Sequence, residues 1–191
     1  MLPIQKYSTH ILDALESSTV LLLSAEPGAG KSTKVPQILL EAKWLESEKG
    51  GGEVWVLQPR RIAAKTVASR VSFELKSKVG ELVGYHFRFE KKVSPATRIL
   101  FLTEGMFFRR LLSNPSLSGV AAVIIDEFHE RHLATDLALG AMKLLVAPNS
   151  KLRLIVMSAT LDLDGLQKYL PWAKKIEVPG KTFPIEVFYP E

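Results

Sequence analysis

Five near-continuous apolar runs constrain this chain more than any other feature. They are Val20-Leu21-Leu22-Leu23, Val54-Trp55-Val56-Leu57, Ile99-Leu100-Phe101-Leu102, 120–125 and 152–157. A strand with one wet face alternates polar and apolar residues, whereas a strand apolar throughout is buried on both faces, as in a parallel sheet covered by helices. Helix-period stretches follow four of the runs, at 32–45, 61–75, 105–112 and 133–146. In the second of these, Ala63, Ala64, Val67, Ala68 and Val71 fall on one side. Such alternation joins parallel strands by right-handed crossovers and places helices on both faces. The expected fold is therefore α/β with a mostly parallel sheet. At 191 residues the chain is long enough for one such domain. Residues 1–18 form a helical lead-in, and Gly50-Gly51-Gly52 a loose connection into the second strand. A final short strand is expected at 185–189.

Composition excludes several classes. With 47% hydrophobic and 24% charged residues, wholesale disorder is out. No apolar run approaches the ~18 residues of a membrane span, so no membrane partner is expected. Lys6, His10 and Asp13 interrupt the N-terminus, which is not a secretory signal. The absence of cysteine excludes disulfides and thiolate metal sites and fits a cytoplasmic protein. Net charge is +5, but its distribution says more: from Arg60 to Arg110 there are twelve Lys or Arg against four Glu, and elsewhere thirteen against sixteen acids. That asymmetry points to a polyanion-facing side, with a merely solvated basic face as the alternative.

Three motifs carry chemistry. Ala25-Glu26-Pro27-Gly28-Ala29-Gly30-Lys31-Ser32-Thr33 follows one expected strand and opens a helix. There the loop amides and helix N-terminus form a phosphate cradle, Lys31 reaches the β- and γ-phosphates, and the Ser32 hydroxyl suits Mg²⁺. A dinucleotide loop is the rival, but Gly28-Ala29-Gly30 runs into Lys-Ser-Thr rather than toward a third glycine. Asp126-Glu127, just past the fourth strand, belong at the same carboxyl edge of the sheet. Asp126 suits a hold on Mg²⁺, and Glu127 suits orienting and deprotonating an attacking water. Ser158-Ala159-Thr160 ends the fifth strand, where its hydroxyls either cap a helix at 161–170 or face the same edge. His129 and His132 lack the spacing of a zinc-binding helix pair, so zinc is not expected.

Taken in order, the loop 25–33, Gln58-Pro59-Arg60-Arg61, Thr103-Glu104-Gly105, Asp126-Glu127-Phe128-His129-Glu130-Arg131 and Ser158-Ala159-Thr160 resemble motifs I, Ia, Ib, II and III of superfamily 2 DEAH-box helicases, most closely the bacterial HrpB-like group. Val83-Gly84-Tyr85-His86-Phe87-Arg88-Phe89-Glu90 resembles a further family segment. Phe128 departs from the usual alanine without touching the acids or His129. The resemblance implies a RecA-like P-loop NTPase domain at 19–180, with 181–191 leading to a second RecA-like lobe outside this chain. It implies ATP and Mg²⁺ as cofactors, with Glu127, Lys31 and Asp126 catalytic and Ser32, Asp126 and Glu127 at the metal. By the same resemblance Arg70 stacks on adenine, against the alternative of a surface helix arginine. Arg60, Arg88 and Thr103 contact single-stranded RNA, with DNA as the alternative, while His129, Ser158 and Thr160 couple nucleotide state to the second lobe. An ATP-dependent RNA helicase lobe, nearly inactive alone, is the reading implied; a nucleotide-dependent binding module without helicase activity is the rival.

Overall fold

A computed structural model describes residues 2–46, 52–147, 150–159 and 163–179. The five apolar runs lie in β1 (Val20–Ala25), β2 (Glu53–Leu57), β5 (Ile99–Leu102), β6 (Val120–Ile125) and β7 (Arg153–Ser158). Three further strands, β3 (Val83–His86), β4 (Lys91–Lys92) and β8 (Lys174–Val178), complete a sheet of order β4-β3-β5-β2-β6-β7-β1-β8. Every pairing is parallel except the β3–β4 hairpin.

Alternate residues of each inner strand serve opposite cores, which is why these runs are apolar throughout. Leu21, Leu23, Val54, Val56, Phe101 and Ile124 pack on one face. That face is covered by the 3-10 turn Pro3–Tyr7 with α1 (Ser8–Ser17), α2 (Lys31–Leu39), α3 (Lys43–Glu46) and α4 (Arg61–Glu74). Leu22, Trp55, Leu57, Leu100, Val123 and Val156 pack on the other, beneath α5 (Glu104–Ser113), α6 (Leu133–Leu145) and α7 (Leu163–Tyr169).

The expected helix at 32–45 is two helices. After Leu39 the amides of Leu40, Glu41 and Ala42 bond three residues back, to Gln37, Ile38 and Leu39. That tightening ends α2 before α3 begins. Thr160, part of the expected helix at 161–170, part of the glycine run, and the whole expected connection at 181–191 with its strand lie outside the described residues.

Candidate nucleotide site and basic face

β1 and β6 end at the same edge of the sheet, and the chemistry collects there. The loop after β1 reaches α2 through Gly28 (φ 80°) and Gly30 (φ 91°), left-handed conformations that favour glycine. A Cβ on Gly30 would also stand 2.7 Å from Leu2 Cδ1, because the N-terminal turn packs beneath the loop. The Ile4 N–H donates to the Ala29 carbonyl at 3.2 Å, which ties turn and loop together. Lys31 begins α2 and is buried. Its ammonium lies 3.9 Å from Glu127 Oε1.

Asp126 is fully buried at the mouth of β6. Gln58 Nε2 donates to its Oδ2, the Glu127 N–H donates to Oδ1 at 2.9 Å, and the Ser32 hydroxyl stands beside the same carboxylate. Burial raises its pKa to about 6, Ser32 opposes that shift, and the neighbouring Glu127 charge adds to it. A carboxylate so placed is costly unless a cation meets it. Among the described residues no group of three His or acidic side chains could hold a metal alone. The donors at hand are hard oxygens, a carboxylate and a hydroxyl beside a phosphate cradle. That set fits Mg²⁺, which takes one or two carboxylates and completes its sphere with water and substrate phosphate.

Glu127 has a left-handed backbone (φ 53°, ψ 36°), uncommon for a residue with a side chain. The turn directs its carboxylate back over the loop, 3.4 Å from His129 Nδ1. His129 Nδ1 is also 3.5 Å from the Ala159 amide, linking the turn after β6 to the end of β7. Ser158 itself is fully buried. His132 instead pairs with Glu130 at 2.9 Å, so the two histidines serve different partners.

A cleft of about 400 Å³ runs across this edge, lined by Gly28, Lys31, Thr33, Arg70, Glu127 and His129 among others. Glu74 lines it too. Arg70 Nε donates to Glu74 at 2.6 Å, Lys34 pairs with it at 2.7 Å and Gln37 donates at 2.8 Å. Burial would raise Glu74, but these three donors hold it at about 2. Arg70 thus lies at the rim with its guanidinium oriented, 63% exposed.

The nucleic-acid candidates are only partly brought together. Arg88 and Thr103 line one cleft of about 500 Å³ with Pro59, Arg61 and Arg109. Thr103 precedes α5 without a side-chain capping bond. Arg60 turns away to pair with Glu130 at 3.0 Å. Gln58, Glu74, Arg61 and Arg109 were not singled out individually from the sequence. Gln58 and Arg61 carried a shared signal, their place in Gln58-Pro59-Arg60-Arg61, but nothing in it pointed to Asp126.

The parallel sheet with a phosphate loop and an acidic pair at one carboxyl edge defines a RecA-like nucleotide-binding fold. Comparison narrows this. The DEAD/DEAH box helicase family matches residues 3–169. "Probable ATP-dependent RNA helicase DHX34" of Mus musculus is 43% identical over 188 residues, covering 98% of this chain and 16% of that protein. "Probable ATP-dependent RNA helicase DHR2" of Saccharomyces cerevisiae is 41% identical over 189 residues, 98% of this chain and 25% of that one. A crystal structure of the E. coli DExH-box NTPase HrpB superposes with a TM-score of 0.87 at 42% identity, over 97% of this chain and 22% of HrpB. The chain belongs to the DEAD/DEAH box helicase family, and it spans a quarter or less of the length of these relatives.

Proposed function

We propose that this chain is the first RecA-like, ATP-binding lobe of a DEAH-box RNA helicase acting in the cytoplasm, with residues 19–180 as the lobe and 181–191 leading to a second one. It binds Mg²⁺–ATP in the cleft between the phosphate loop and Glu127. It binds single-stranded RNA, with DNA as the alternative, on the basic face. The observation that carries the reading is the convergence of Lys31, Ser32, Asp126 and Glu127 at one sheet edge.

The amides of 25–33 and the N-terminus of α2 receive the phosphates, and Lys31 supplies a point charge to the β- and γ-oxygens. Ser32, Asp126 and Glu127 would hold Mg²⁺, which would supply positive charge to the phosphates. Asp126 is kept in place by Gln58 and its neighbour's amide. Glu127, aimed by its left-handed turn, orients the attacking water and takes its proton. Arg70, steadied by Glu74, offers a flat face to adenine. His129 touches both Glu127 and the end of β7, so that with Ser158 and Thr160 it couples phosphate state to the second lobe. Arg88 and Thr103 meet the nucleic-acid backbone, and Arg60 joins them once it leaves Glu130.

Lys31→Ala tests the nucleotide site. Charge-assisted contacts of this kind contribute ~1.5–3 kcal/mol, so the Kd for Mg²⁺–ADP should rise by roughly one to two orders of magnitude. An unchanged Kd in a folded variant would overturn the phosphate-loop reading.

A further inference from the structure

Leu2 lines the nucleotide cleft beside Gly28, Gly30 and Lys31, although it lies far upstream of them in the sequence. The turn that carries it is closed on itself. The Leu2 N–H donates to Gln5 Oε1 at 2.7 Å, and the Gln5 N–H donates back to the Leu2 carbonyl at 3.1 Å. Pro3 opens the turn with its φ fixed by the ring. The Ser8 hydroxyl donates to the Gln5 carbonyl at 2.9 Å and so joins the turn to α1. Ile4 is fully buried, rooted in the core on the face that α1 and α2 cover.

The two loop glycines differ in what stands behind them. A Cβ added at Gly28 would meet nothing within 4 Å. At Gly30 it would stand 2.7 Å from Leu2 Cδ1, 3.1 Å from Leu2 Cβ and 3.3 Å from Ile4 Cγ2. The loop is therefore open at Gly28 and backed at Gly30 by two apolar side chains. Gly30 is also where α2 takes its start: its carbonyl accepts from the Lys34 N–H at 2.8 Å and from Thr33 Oγ1 at 3.2 Å. A shift of Gly30 would carry Lys31 and the first amides of α2 with it. A phosphate cradle works only when its amides converge on one point, so whatever holds Gly30 holds the cradle.

We propose that Leu2 and Ile4 are positioning residues for nucleotide binding, and that the turn Pro3–Tyr7 is an apolar strut holding the phosphate loop in its binding conformation. This rests on the reading of the cleft as the nucleotide site. Without the strut the loop would divide its time among several conformations, and affinity would fall by the share lost to the others.

The test is Leu2→Ala in the full-length protein, read by the Kd for Mg²⁺–ADP and by amide hydrogen exchange of the nucleotide-free protein. Leu2 is only partly buried, so its truncation leaves the core intact. If the loop then keeps its binding form for about a tenth to a third of the time, the Kd should rise roughly 3- to 10-fold. Exchange across 25–33 should quicken, while exchange in α1 and the thermal midpoint stay as in the parent. Leu2→Met, which keeps the volume, should restore both affinity and loop protection. A raised Kd with unchanged loop exchange would overturn the proposal, because Leu2 would then act on the nucleotide directly. Faster exchange in α1 together with a lower thermal midpoint would also overturn it, since the turn would then support the fold and not the loop. If Leu2→Ala leaves the Kd unchanged while Lys31→Ala raises it, the strut is wrong and the nucleotide site stands. If neither substitution matters, both readings fall together.

Discussion

Glu127 is held in a backbone conformation that costs on the order of 1–3 kcal/mol for a non-glycine residue. No packing need explains that strain, since the side chain is only partly buried and reaches toward Lys31 and His129. In the proposed function it aims a carboxylate at the space beyond the phosphate loop. Glu127→Gln keeps the shape and removes the base, so kcat in the full-length protein should fall by roughly 10²–10⁴ while the nucleotide Kd stays within a few-fold. Hydrolysis at the parent rate would remove Glu127 from the chemistry. Glu74 plays a different part. Its pKa is lowered from 4.5 to about 2 because Lys34, Gln37 and Arg70 outweigh the effect of burial. A carboxylate with a depressed folded pKa adds stability that is fully present above its ordinary value and is lost as the pH falls toward 2. Glu74→Gln should therefore cost ~1–2 kcal/mol at pH 7, after allowing for solvent screening, and less at pH 3.5. Urea unfolding at the two pH values measures this; an equal penalty at both would mean that Glu74 acts through packing and not charge.

At the scale of elements, the strands legible in the sequence are those buried on both faces. β1, β2, β5, β6 and β7 declare themselves because each must feed two cores. β3, β4 and β8 do not, for physical reasons. β3 is four residues long and contains Gly84. β4 is two exposed lysines. β8 carries Lys174, Lys175 and Glu177 at the sheet margin, where charge protects an open edge from further pairing. The site was legible where chemistry follows a strand end directly, as with Lys31, Ser32, Asp126 and Glu127. It was not legible where function depends on partners far apart in sequence, as with Gln58 beneath Asp126 or Glu74 between Lys34 and Arg70. Phe101 tests the two-core description. It is fully buried in β5 on the face covered by α4. Phe101→Ala should cost ~3–5 kcal/mol in denaturant unfolding. A loss under 1 kcal/mol would mean that this face is not packed as described.

For the molecule as a whole, the described residues supply one wall of the candidate nucleotide cleft. Arg70 presents a 63% exposed side chain at the rim, and nothing among the described residues covers the space above the loop and Glu127. In the proposed enzyme a second lobe closes that side and brings an arginine to the transferring phosphate, a contribution of ~10³–10⁵ in rate. This chain should then bind nucleotide weakly, hydrolyse it slowly, and gain little from nucleic acid, since there is no partner lobe for the strand to draw closed. A phosphate-release assay on the purified 191-residue chain, with and without single-stranded RNA and beside the full-length protein, tests this most directly. The account predicts near-background release by the chain alone, unchanged by RNA, against RNA-stimulated turnover by the full-length protein. Robust RNA-stimulated release by the 191 residues would show that they complete their own active site, and the one-wall account would be wrong.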